Sequence, residues 1–253
     1  MWSDRIRGMG GSHWILLFAG ILAAWAALYA MAVPEALREA GAVYGAAFLE
    51  SLCVVTPDAA GFARLFLMWA LMAAAMMAPT ALPAFATYED LGRAGGGTRF
   101  GVLVAGYLAV WLGFAALAAG AQLALFGAGL VSPFGDSLSA GFSAALLAVA
   151  GAYQFSALKA ACLSKCRQPL TFFMAHWAEG PWRNGLRLGA VCLGCCWALM
   201  ALAFVGGVMN LAFMGLAAVI MVLEKLPAFG RYVTRPLGLV LIAAAVWTGA
   251  GAI

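Results

Sequence analysis

The chain has 253 residues, of which 66% are hydrophobic and 9% charged, with a formal net charge of +4. An ordinary soluble domain carries about 25% charged residues, so a soluble fold of this size is excluded for want of polar surface. Nor does the small positive charge call for nucleic acid, because basic segments facing anionic membrane lipid account for it.

A bilayer-spanning helix takes about 20 mostly apolar residues. Seven such stretches follow one another, at 14 to 33, 62 to 83, 100 to 126, 138 to 158, 187 to 207, 209 to 226 and 236 to 252. They predict an all-α fold, a polytopic transmembrane helix bundle occupying residues 1–253 as a single integral membrane domain. The first stretch ends in Ala30, Met31 and Ala32, which could pass as a signal-peptidase site. Its apolar run is longer than a usual signal-peptide core, so it reads as a retained helix.

Residues 34 to 60 form the longest connection, where Glu35, Glu39, Glu50 and Asp58 interrupt apolar residues at helical spacing, as in an amphipathic surface helix. Cys53 stands alone there and reads as structural. In the second span Met68, Met72 and Met76 recur every four residues, with Met77 adjoining. Residues at i and i+4 share a helix face, so the thioethers form a stripe, read either as soft metal ligands or as adaptable packing. Pro79 and Pro83 follow, and a helix-breaking proline frees backbone carbonyls that the protein must satisfy. Tyr88 to Thr98 reads as a glycine-rich loop, and Ser132 to Ser137 as a short turn.

The connection from Lys159 to Arg187 is too specific for a passive linker. It holds Cys162 and Cys166 at helical spacing, His176, two tryptophans and five basic residues. Lys159, Lys165 and Arg167 would favour the thiolate, the form that binds metal or attacks disulfides. His176 is a candidate ligand, although surface histidines are common. The fifth span opens with Cys192, Cys195 and Cys196, spacings that put three sulfurs within one helical arc, and Met200 continues that face. Only Gly206 to Asn210 divides the fifth and sixth spans, and glycine with Asn210 suits a tight helical hairpin. The sixth ends in Glu224 and Lys225, which either pair with each other or serve function.

Twelve of the fourteen lysines and arginines fall on one side if the N-terminus is cytoplasmic, leaving Arg38 and Arg64 opposite. This positive-inside bias predicts N-terminus in and C-terminus out. The topology then brings Met76, Met77, Cys192, Cys195, Cys196, Met221 and Glu224 to one membrane depth, beside Cys162, Cys166 and His176. Structural disulfides are disfavoured in the cytoplasm, so metal or redox use is the better reading of these cysteines.

At these residues the chain resembles a family of bacterial inner-membrane proteins described as predicted metal-binding integral membrane proteins. The matching stretches are Met68 to Pro79, Tyr153 to Lys159 leading to Cys162 and Cys166, and Cys192 to Met200. Val208 to Asn210 and Glu224 with Lys225 complete the pattern. The resemblance implies metal binding in a multi-pass bacterial inner membrane protein. One departure is that family members often carry a histidine shortly before the first of these span-five cysteines, where this chain reads Arg187-Leu188-Gly189-Ala190.

Three functions fit. The first is metal handling with Cu(I) preferred over Zn(II), since thiolates and thioethers together select copper(I), whereas zinc prefers a closed tetrahedral set. The candidate ligands are Cys162, Cys166, Cys192, Cys195, Cys196, Met72, Met76, Met77, Glu224 and His176. The second is thiol-disulfide exchange, from the C-x-x-C spacing of Cys192 and Cys195. The third is a structural or assembly subunit among membrane-protein partners or in an oligomer, from the abundance of small residues suited to helix packing. No Ser/His/Asp constellation or nucleotide-binding motif points to a particular reaction.

Overall fold

The computed structural model describes residues 11–32, 55–94 and 98–251. Among them the chain is all-helical, without a strand, and an isolated antiparallel bridge between Val131 and Ser137 closes the turn expected at 132–137. Cys53 and most of the expected amphipathic connection lie outside the described residues.

The helices, in chain order, are α1 (Ser12–Ala32), α2 (Ala59–Ala94), α3 (Phe100–Gly127), α4 (Ala140–Tyr153), α5 (Ala157–Arg167) and α6 (Pro169–His176), then a 3-10 turn (Trp177–Glu179), α7 (Gly180–Ala201), α8 (Ala203–Gly206), α9 (Leu211–Lys225) and α10 (Gly230–Ala250). Five stretches are long and apolar enough to cross a membrane: Ser12–Ala32, Ala59–Arg93, Phe100–Gly127, Pro169–Gly206 and Gly230–Ala250. The pair α4 and α5, bent by 61°, makes a sixth if it is one broken span.

Seven were expected: the fourth stretch, 138–158, holds a 14-residue helix that qualifies only as part of the bent α4–α5 pair, and the sixth, 209–226, does not qualify. Its helix α9 has 15 residues, about 22 Å at the α-helical rise of 1.5 Å per residue, against about 30 Å of hydrocarbon. Both ends are fixed by sequence. Gly207 takes φ +92°, a left-handed conformation that glycine adopts without penalty. The Asn210 side chain then caps α9 by accepting from Phe213 N at 3.1 Å, and Pro227 follows its last turn. The expected turn is therefore present, but it opens a short helix.

Two connections are more helical than expected. The segment 159–187 folds as most of α5, all of α6, the 3-10 turn and the start of α7. Ser156 caps α5, accepting from Lys159 N at 3.1 Å, and Pro169 sits at the first position of α6, where its missing N–H is harmless. Similarly, α2 runs through both its prolines to Ala94 and takes up much of the expected Tyr88 to Thr98 loop. Pro79 has no N–H for the Ala75 carbonyl one turn back. The Trp25 indole of α1 donates to that carbonyl instead, at 3.0 Å, so the neighbouring helix repairs the proline's defect.

Small residues set the tightest crossing, between α3 and α7. A Cβ on Gly185 would stand 2.2 Å from the Leu103 carbonyl oxygen, closer than a side chain allows, and 3.0 Å from Gly106 Cα. This approach carries Tyr107 of α3 against the cysteine-bearing turn of α7. At the helix ends, buried Glu89 of α2 accepts from the Trp14 indole of α1 and from Arg93 at 2.7 Å. Asp58 opens α2 by accepting from Gly61 N at 2.7 Å, and the Thr56 hydroxyl, with that amide, holds its carboxyl below the usual carboxylate range.

Candidate metal centre

On α7, Cys192, Cys195 and Cys196 fall on the buried face because three- and four-residue spacings return to one side of a helix. All three are buried. Their sulfurs lie within 4.8 Å of one another, the single such group of three or more His, Cys, Asp or Glu ligand atoms among the described residues. Cys195 and Cys196 stand 3.3 Å apart, and the Cys195 thiol donates to the Cys192 carbonyl at 3.1 Å. With metal–sulfur bonds of about 2.3 Å, two sulfurs on one ion are at most about 4.6 Å apart, so the three fit a single ion with little movement.

The polar groups around this trio come from three other helices. Lys225, at the end of α9 and 8% exposed, donates to Cys192 Sγ at 2.9 Å. It also donates to the Thr80 hydroxyl of α2, and Thr80 in turn donates to Met77 O at 2.8 Å. The Tyr107 hydroxyl of α3 donates to the same carbonyl at 2.8 Å and stands 3.1 Å from Cys192 Sγ. Cys192 is thus the thiol that meets the charge.

Helix α5 closes the other side. Cys162 abuts Gly194, where a Cβ would come within 2.6 Å of its sulfur. The glycine between Cys192 and Cys195 thereby admits α5 to the cysteine face. One turn on, Cys166 lines the same cavity as Cys192. Both α5 cysteines are partly exposed, and all five described cysteines are free. Tyr153, at the end of α4, donates its hydroxyl to the Gly194 carbonyl. A cavity of about 640 Å³ reaches this region, with Cys166 on its wall and Thr80, Tyr107, Cys192 and Lys225 deeper in the same lining.

Not every expected ligand joins the trio. Glu224 pairs with Lys159 at 2.9 Å, each 1% exposed, and its Oε1 has no protein partner. Arg167 donates to the Glu224 carbonyl at 2.9 Å. Two of the three basic residues expected to act on Cys162 and Cys166 are therefore engaged with Glu224. His176 ends α6 with Nδ1 2.8 Å from the Phe172 carbonyl of its own helix and its ring against Phe172. Met72, Met76 and Met77 are buried, and Met77 supplies its backbone carbonyl to the site.

A sequence model of a copper chaperone family, PpoB2, matches residues 66–248. The chain belongs to this family. No curated protein and no solved structure matches. The matched stretch contains the five described cysteines, the methionine stripe of α2 and the Glu224-Lys225 pair, so the copper chaperone family's description falls on the segment that the expected metal-binding resemblance covers.

In this copper chaperone family member, reading the sequence missed Thr80 and Tyr107 altogether. Nothing in the chain sets Tyr107 apart from other polar-tipped aromatics in apolar spans. Lys225 carried a signal, since a charge beside an apolar run marks function or pairing, but its partner is a cysteine rather than Glu224.

Proposed function

We propose that this chain carries Cu(I) inside a membrane on the sulfurs of Cys192, Cys195 and Cys196 and passes the ion onward. One observation carries the reading: three buried cysteine sulfurs within 4.8 Å of one another, in a chain of a copper chaperone family. The donor set favours Cu(I) over Zn(II). Structural zinc is held almost always by four ligands, and no fourth His, Cys, Asp or Glu atom joins the trio among the described residues. Charge argues the same way. Two thiolates on Cu(I) carry one negative charge, and Lys225 beside Cys192 supplies one positive charge, which leaves a neutral site where uncompensated charge is expensive.

Metal analysis of the reduced, purified chain tests this. Copper should accompany the native protein and be lost from the Cys192→Ser, Cys195→Ser, Cys196→Ser triple variant. Unchanged copper in that variant would refute the site. The orientation proposed with it, N-terminus and the α6–α7 corner on the cytoplasmic side, predicts cytoplasmic activity for a reporter inserted after Gly180, and an external reporter there overturns it.

A further inference from the structure

A cavity reaches the buried trio at Cys192. Its outer part is formed by the last turns of α2 and the α5–α6 corner, including Pro83, Thr87, Asp90 and Thr171, and its inner part by Thr80, Tyr107, Cys192 and Lys225. Cys166 belongs to both neighbourhoods. It is partly exposed on the cavity wall, and Cys192 of the trio lines the same cavity. Cys162, one turn earlier on α5, is not on that wall.

Resting on the copper reading above, we infer that this cavity is the inlet for copper, that a small-molecule thiol brings Cu(I) into it, and that Cys166 is the first protein ligand, handing the ion to the trio. A volume of about 640 Å³ lies within the roughly 300–1,000 Å³ of small-ligand sites and admits no protein domain. Arg167 and Lys225 face it against Asp90 alone, a cationic balance suited to the negative charge of a bis-thiolate Cu(I) complex.

Transfer is ligand exchange. The Cys166 sulfur forms a bond to Cu(I), one carrier-sulfur bond to copper breaks, and the Cys166 proton leaves on the released carrier thiol. Cys192 then displaces the second carrier sulfur and Cys195 displaces Cys166, each incoming thiol passing its proton to the sulfur it releases, and copper stays Cu(I) throughout. Because every intermediate keeps two sulfurs on the ion, bare Cu(I) never has to cross the apolar wall.

The experiment follows filling of the reduced full-length chain in detergent from Cu(I)–glutathione, by the thiolate-to-copper ultraviolet absorption, against Cu(I) presented on a soluble copper-binding protein. Expected is filling from glutathione faster than from the protein carrier. Cys166→Ser should slow filling at least tenfold and still reach the native endpoint. Thr171→Trp, an exposed position on the cavity lining, should also slow filling while leaving every thiol in place. A native rate in either variant overturns the inlet. A lowered endpoint in Cys166→Ser makes that residue a resident ligand and overturns its transfer role, and faster filling from the protein carrier overturns the small thiol. A native chain that takes no copper at all removes the copper site and the inlet together, whereas a filled native chain with unaffected variants removes the inlet alone.

Discussion

Glu224 and Lys225 are neighbours in sequence and go to opposite kinds of place. Glu224 meets Lys159 in a fully buried ion pair between α9 and α5, while Lys225 turns to α7 and meets a thiol in a group of three. The first region is balanced, one charge against one, and its effect is to hold two helices together. The second offers one cation to three ionisable sulfurs and is left short of positive charge once the thiols ionise. A balanced buried pair needs no further charge, whereas an unbalanced cluster of soft donors is completed by a soft cation.

The largest expected effect comes from breaking the balanced pair. Glu224→Leu leaves the Lys159 ammonium buried without its partner, a change that costs about 3–5 kcal/mol, and should sharply lower the thermal midpoint in detergent. Replacing both, Lys159→Met with Glu224→Leu, should restore most of the loss, because an apolar pair of similar volume is often as stable as the ion pair. Copper per folded chain should not change in either. If Glu224→Leu instead loses copper while keeping its stability, Glu224 is a ligand and the contrast between the two regions collapses.

Next comes the unbalanced region. Lys225→Met removes the positive charge beside the bound ion. At roughly 5 Å and an effective dielectric constant near 20, that charge is worth about 3 kcal/mol, so Cu(I) affinity should fall about a hundredfold. Lys225→Arg should keep most of it. Competition with a calibrated Cu(I) chelator measures both, and equal affinity in native and Lys225→Met chains would show that the ammonium does not serve the metal.

The methionine stripe sharpens the donor question. In α2, Met72, Met76 and Met77 precede Thr80, which touches Lys225. Changing all three to leucine keeps apolar bulk at less than about 1.5 kcal/mol per site. We expect about tenfold weaker Cu(I) binding, near 1.4 kcal/mol, with zinc affinity unaltered. Unaltered copper affinity as well would make the stripe packing.

How far these features could be read in the sequence follows from their range. Helix-forming apolar runs and the cysteine arc on α7 are local, so spacing alone was enough to expect them. The Gly207 to Asn210 turn was legible for the same reason. The length of α9 was not, because the apolar stretch runs on across Gly207 and Val208 into a turn that only capping by Asn210 defines. The helical character of 159–187 was hidden by its polar composition, and its stability comes from contacts with α7 and α9. Pairings across helices were least legible: adjacent opposite charges at Glu224 and Lys225 suggest a mutual pair, yet successive side chains on a helix diverge by about 100°, and each found a different neighbour.

The smallest effect is expected at Tyr107. Its hydroxyl donates to the Met77 carbonyl, which also accepts from Thr80, both at 2.8 Å. Removing it by Tyr107→Phe therefore leaves that carbonyl satisfied and costs about 1 kcal/mol, the net worth of an ordinary hydrogen bond. The hydroxyl also stands 3.1 Å from Cys192 Sγ, and a thiol there can donate to it, a contact that favours the protonated, metal-free form. Binding copper removes the thiol proton, and the hydroxyl can then swing to donate to the bound sulfur while Thr80 keeps the carbonyl paired. The two effects oppose, so Cu(I) affinity in Tyr107→Phe should stay within about threefold of native, well under 1 kcal/mol, while the thermal midpoint drops by a few degrees. A tenfold loss of affinity at unchanged stability would instead make the hydroxyl part of the copper site, and the unbalanced region would extend onto α3.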